Sequence, residues 1–233
     1  MPLLRLHVHA GQSGPALLLR VVSRAGQAGG VRDRGVRVAA LSAQPPEKQR
    51  LLQEALAREG DAHRLLLDGE DEAASEALRE VGELYRRSWE EAGPRSFGRL
   101  IGVVKAGVLA GDGSEEAAYV RRELGEEADS PVASYARALA CLVEGDEECA
   151  RAAAAGMREG SEPLDRTADA VAALADRDPD RYAAAVRAIV ADFEARDQHL
   201  TGVPIADTAL VLERIAGQRG MAAGVSSPLL PGG

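Results

Sequence analysis

Three short acidic turns of one type punctuate this chain. Val108-Leu109-Ala110-Gly111-Asp112, Leu142-Val143-Glu144-Gly145-Asp146 and Leu174-Ala175-Asp176-Arg177-Asp178 each close one apolar-periodic run and open the next. Their final Asp residues stand 34 and 32 residues apart, inside the roughly 30 to 45 residue period of helical repeats. A fainter copy is Leu66-Leu67-Asp68-Gly69-Glu70. A helix pair of that length cannot bury its apolar face alone, so pairs must stack on their neighbours and leave a long outer surface. The expected fold is all-α, an array of stacked helix hairpins resembling tetratricopeptide repeats.

Composition points the same way. Aromatic residues are only 3% of the 233 positions while hydrophobic residues reach 45%, so the core must be built from Leu, Val, Ile and much Ala. Ala is the best helix former and lets helices approach closely, whereas a sandwich or barrel needs β-branched and aromatic residues.

The stripes can be traced from Pro45-Pro46 onward. Leu51, Leu52, Ala55 and Leu56 form the first, and Ala74, Ala77, Leu78, Val81, Leu84 and Tyr85 the second, both at the 3.6-residue period. Helices are expected to open at Pro94, Ser130-Pro131, Pro163, Asp178-Pro179 and Pro204, where Pro loses nothing at the first helical position. Asp146 is expected to cap the helix that carries Glu147 and Glu148 in its first turn. Ser226-Ser227-Pro228-Leu229-Leu230-Pro231 reads as an extended apolar tail lying back on the last helices. The domain division expected is a basic N-terminal arm or extra helix over residues 1–44 and an all-helical repeat domain over 45–233.

Charge is distributed unevenly. Residues 1–44 hold six Arg and one Asp, a net of +5, which leaves −14 for the rest of the chain out of a total of −9. So acidic a body does not suit nucleic acid, whose binding needs Lys and Arg to displace counterions. It suits a basic protein partner. Glu115, Glu116, Glu123, Glu126, Glu127 and Asp129 border one hairpin, and Glu144, Asp146, Glu147 and Glu148 lie at the next turn. Because stacked repeats align equivalent turns, Glu115, Glu116, Glu126, Glu127, Asp146, Glu147 and Glu148 are the candidate partner-binding residues. The opposing expectation is that these carboxylates are solvated helix surface.

Chemistry is harder to find. There is no phosphate loop, dinucleotide fingerprint, zinc-protease helix or nucleophile elbow, and Gly11-Gln12-Ser13-Gly14 reads as a loop. His7 and His9 share a strand-like face, yet with only His63 and His199 elsewhere they lack the partners of a closed metal site. Carboxylates sit where helix caps already explain them, and Trp89 and Tyr85 read as core or groove lining. No catalytic residue, cofactor or metal is expected. Cys141 and Cys149 straddle the Gly145-Asp146 turn and are expected as buried, reduced thiols, in keeping with a cytoplasmic chain. No stretch is apolar enough for a signal or membrane-spanning segment.

From residue 94 onward the chain resembles immunity protein family 49 of bacterial polymorphic toxin systems. The features that carry the resemblance are Gly93-Pro94-Arg95-Ser96-Phe97 before an apolar helix ending in Ala110-Gly111-Asp112, and Asp178-Pro179-Asp180-Arg181-Tyr182 leading into the helix towards His199. The closing run is the most specific: Pro204-Ile205-Ala206, Leu210, Ala216, Arg219-Gly220 and Ser227-Pro228-Leu229-Leu230-Pro231, with Leu229 where the family carries an aromatic. The resemblance implies a non-catalytic cytoplasmic antidote that binds a cognate, basic toxin domain and blocks it by contact. The alternative is a tetratricopeptide-like adaptor, although the Trp-Leu-Gly-Tyr signature of that repeat is absent. A small-molecule regulator or enzyme with an internal pocket finds no convergent polar site in the sequence.

Overall fold

A computed structural model describes residues 45–93, 95–125, 130–158 and 160–232. Among these, nine α-helices and no strand are found: α1 (Glu47–Asp68), α2 (Asp71–Glu90), α3 (Gly98–Ala110), α4 (Ser114–Leu124), α5 (Pro131–Glu144), α6 (Glu147–Met157), α7 (Glu162–Ala175), α8 (Pro179–Glu194) and α9 (Asp207–Gln218). The expected all-α array is present. The basic arm expected over residues 1–44 lies outside the described residues, as does Pro94.

Consecutive helices pack as hairpins, α1 with α2, α5 with α6 and α7 with α8, and each hairpin packs on the next. The odd-numbered helices make a second set of contacts, α3 with α5, α5 with α7 and α7 with α9. Helix α9 also returns to α3, so the row of odd helices closes on itself instead of leaving an open groove. Small residues make this possible. Ala133, Ala136, Ala138 and Ala140 of α5, like Ala168, Ala170 and Ala173 of α7, are fully buried and let the backbones approach.

The turns explain the repeat, with one rearrangement. Gly69 and Gly145 end α1 and α5 at φ 77° and 75°, the left-handed region a Cβ disfavours. After each, the next N–H reaches back five residues, Glu70 to the Leu65 carbonyl and Asp146 to that of Cys141, both at 2.9 Å. This is the Schellman closure of a helix end. Arg177 takes the same position at φ 54°, with Asp178 N–H on the Ala173 carbonyl at 2.9 Å. The fainter copy at Gly69 is therefore one of three equivalent turns. The Asp112 turn is the one that differs: Gly111 is extended at φ −172° and the left-handed residue is Gly113.

Caps follow the sequence at Ser130, Asp146 and Asp178, whose side-chain oxygens accept from Ala133, Cys149 and Arg181 N–H at 3.2, 3.0 and 3.0 Å. Two starts shift. Helix α3 begins at Gly98 and α9 at Asp207, because Pro204 belongs to a looped approach in which the Ala206 N–H is taken by the Leu229 carbonyl at 2.9 Å. That contact brings the tail back onto α9, as expected. Glu213 anchors it further by accepting from the N–H groups of Ala223 and Gly224 and from the Tyr182 hydroxyl, at 3.1, 2.8 and 2.7 Å.

The cysteines require a correction. They form a disulfide, with sulfurs 2.01 Å and Cα atoms 5.8 Å apart, in place of two free thiols. The left-handed Gly145 folds the chain back so tightly that the last turn of α5 and the first turn of α6 present Cys141 and Cys149 to each other. The Arg121 guanidinium lies 2.8 Å from both sulfurs.

Candidate functional site

The acidic turns are the first candidate. Asp146 caps α6 while Arg121 lies 3.4 Å from its carboxylate and 3.7 Å from that of Glu144. Glu147 faces Arg177 at 2.8 Å and Arg219 at 3.6 Å, and Glu116 faces Arg86 at 3.3 Å. These pairs run between successive hairpins, so much of the acidic charge is engaged in holding the stack together. Glu115 and Glu148 are exposed and make no ion pair among the described residues. Glu126 and Glu127, with Asp129, lie outside the described residues.

The second candidate lies inside the array. Helix α1 turns its 3.6-residue stripe inward through Leu51, Ala55, Ala62 and Leu66, and the same face carries Glu59 and His63, only 6% and 2% exposed. Helix α3 is apolar nearly all round, as a buried helix must be, and carries one inward cation, Lys105. Helix α9 supplies Asp207 and Thr208 from its first turn. Lys105 Nζ donates to Asp207 Oδ2 at 2.8 Å and to Thr208 Oγ1 at 2.9 Å, and sits 5.7 Å from the Tyr135 ring centre. The Tyr85 hydroxyl donates to Glu59 Oε2 at 2.8 Å. His63 Nδ1 meets Thr201 Oγ1 at 3.2 Å, which ties α1 to the loop preceding α9.

Burial and mutual attraction set the protonation of this cluster. Burial opposes ionisation of both Lys105 and Asp207, yet each lies so close to the other that the pair stays charged, with the Lys105 pKa raised and the Asp207 pKa lowered. Glu59 is pushed up to about 7, first by burial and then by the Asp207 charge, against the opposing pull of the Tyr85 hydrogen bond and Lys105. Burial lowers His63 to about 4, leaving it neutral at physiological pH. Shifted groups converging in one place are a mark of functional sites, and also of structural ion networks.

A cavity of about 200 Å³ opens beside these residues. Leu164, Ile189, Phe193 and Ile205 give it apolar walls, and Arg166, Asp192, Arg196 and His199 line it too. Asp192 accepts from both Arg166 and Arg196. Among the described residues no group of three or more metal-ligating side chains occurs.

The sequence reading missed this interior site. Its members come from α1, α3 and α9, and Lys105 and Asp207 are 102 residues apart. One local sign was present: charged residues standing in apolar stripes, Glu59 four residues before His63 on α1 and a lone Lys105 in an apolar α3.

Comparison of the chain with protein-family models, curated proteins and solved structures yields no match.

Proposed function

We propose that this chain is a non-catalytic immunity protein that binds a cognate bacterial toxin and neutralises it by protein–protein contact. The observation that supports this reading is where the family-like residues fall. Ala206 and Leu229 join the tail to α9, the Ser227 hydroxyl donates to Glu194 at 2.6 Å, and Arg219 donates to the Leu142 carbonyl, joining α9 to the end of α5. The run that resembles the immunity family is thus the run that closes the helical array. What the protein would present to a toxin is its outer surface, with Glu115 and Glu148, which make no ion pair among the described residues, as the acidic contacts for a basic partner. A cytoplasmic location belongs to the same proposal, although the Cys141–Cys149 disulfide is a bond that a reducing cytoplasm disfavours; among the described residues, no helix is long and apolar enough to cross a membrane.

The test is charge reversal restricted to these two carboxylates. The double substitution Glu115→Lys, Glu148→Lys leaves every ion pair described above intact, so folding should be unchanged by circular dichroism. Association with a cognate toxin domain should slow several-fold and lose part of its salt dependence, because rim charges act chiefly on the on-rate. An unchanged on-rate at low and high salt would place the contact elsewhere.

A further inference from the structure

We propose that Cys149 is a site of reversible exchange with low-molecular-weight thiols and their disulfides, and that Cys141 is the sulfur that resolves the adduct. The α5–α6 turn carries this site whether or not the protein meets a toxin. Access to the bond is one-sided. Cys141 is 0% exposed, whereas Cys149, in the first turn of α6, is partly exposed. A small thiol therefore reaches the pair only from the Cys149 side. Exposed disulfides are the labile ones that take part in exchange, while shielded ones resist reduction.

The alignment of the two cysteines does not depend on the bond between them. Asp146 is hydrogen-bonded to the main chain of both, its N–H donating to the Cys141 carbonyl at 2.9 Å and its Oδ1 accepting from the Cys149 N–H at 3.0 Å. The left-handed Gly145 and the packing of α5 on α6 fix the same turn. Further, the crosslink joins residues only eight apart within one hairpin and ties no two hairpins together. The bond can thus open and close on a frame that stays folded.

Charge favours the reacting species. In exchange the thiolate is both the attacking and the leaving group, so a cation that touches both sulfurs meets the negative charge whichever of them carries it. Arg121 Nη1 lies 2.8 Å from each sulfur. Asp146 and Glu144 also draw on this guanidinium, but at the longer distances of 3.4 and 3.7 Å. Glu147 is turned to Arg177 and Arg219.

Reduction then proceeds in two displacements. A thiolate attacks Cys149 Sγ, the protein S–S bond breaks, and its electron pair leaves on Cys141 Sγ, which takes a proton from water. A second thiolate attacks the outer sulfur of the mixed disulfide and expels Cys149 as a thiolate, so two small thiols become one small disulfide as the protein gains two thiols. Closure reverses these steps. The Cys141 thiolate attacks Cys149 Sγ in the mixed disulfide and releases the small thiol. A pair of this kind suits a reducing compartment, where protein disulfides are transient.

The test uses the full chain and glutathione as probe. The oxidised protein is placed in millimolar reduced glutathione and then in excess glutathione disulfide, with thiols counted by alkylation and mass spectrometry and the fold followed by circular dichroism. The bond should open and reclose with the helical signal unchanged, and any adduct trapped by acid quenching should map to Cys149. In glutathione disulfide, Cys141→Ala should take up one glutathione at Cys149, and Cys149→Ala should react at Cys141 roughly tenfold more slowly or not at all, because that thiol is buried. The wild-type arm needs no substitution, so it decides the matter even if a variant does not fold. A bond that persists in reduced glutathione, or opens only as the helical signal is lost, makes the crosslink purely structural and overturns the proposal. Adducts on Cys141 as fast as on Cys149 in folded protein overturn it as well.

Discussion

Glu59 and His63 sit four residues apart on one buried face of α1 and should drive the pH dependence of folding in opposite directions. The Glu59 pKa rises from 4.5 to about 7, so between those values the folded chain keeps a proton that the unfolded chain has released. Its contribution is fully present below pH 4.5 and is lost as pH rises through 7. The His63 pKa falls from 6.5 to about 4, so the unfolded chain takes up a proton first on acidification. That contribution is present above pH 6.5 and lost as pH falls towards 4. Both side chains are almost wholly buried, so solvent screening removes little, and each shift corresponds to roughly 3 kcal/mol. In the wild-type protein the two nearly cancel between pH 4.5 and 6.5. Glu59→Gln keeps an acceptor for the Tyr85 hydroxyl and unmasks His63, so the stability of that variant should gain roughly 3 kcal/mol relative to wild type from pH 4.5 to 7. His63→Gln should lose about as much relative to wild type between pH 4 and 6.5. Urea unfolding followed by circular dichroism at half-unit pH steps measures both, and subtracting the wild-type curve removes the contributions common to all other carboxylates. Parallel curves for wild type and Glu59→Gln would refute the buried, shifted glutamate.

Other expectations follow from individual contacts. Replacing Cys141 and Cys149 by Ala removes a crosslink between residues eight apart and should cost about 2.5 kcal/mol of stability by loop entropy; alkylation of two free thiols in the unreduced protein by mass spectrometry would contradict the bond. Gly102→Ala places a Cβ 2.6 Å from the Tyr85 ring, so overpacking should outweigh the helix-propensity gain and lower stability by about 1–2 kcal/mol on denaturant titration. Glu213→Ala removes the shared acceptor of Tyr182, Ala223 and Gly224; stability should fall by about 2–4 kcal/mol, with hydrogen exchange at Ala223 and Gly224 accelerated. Slow exchange at those two amides in the variant would show that the tail is held by other contacts.

What could be read along the chain is what nearest neighbours dictate. The apolar stripe of α2, the caps at Ser130, Asp146 and Asp178 and the Gly145 turn are local, and each falls where the sequence placed it. Boundaries drifted at Pro204 because the Ala206 amide is claimed by Leu229, a partner that helix-start rules do not see. Arg177 stands where Gly69 and Gly145 predict a glycine, its left-handed backbone imposed by the same pair of hydrogen bonds. The acidic turns were visible as residues but not as ion pairs, since Arg121 reaches them from α4, Arg177 from the turn after α7 and Arg219 from the end of α9. The interior cluster was least legible. Lys105 meets Asp207 only because α9 packs back on α3, a contact between elements that no period connects.

The central claim, that the protein neutralises a toxin by binding it, is tested most directly by co-expression with the product of the neighbouring gene. The account predicts that this product is a toxin, that cells expressing it alone stop growing, that this chain restores growth, and that the two proteins co-elute as a stable complex whose formation slows in the Glu115→Lys, Glu148→Lys variant. A toxin that kills equally well with the folded protein present, or a neighbouring gene that encodes no toxin and a chain that protects against none, would contradict it.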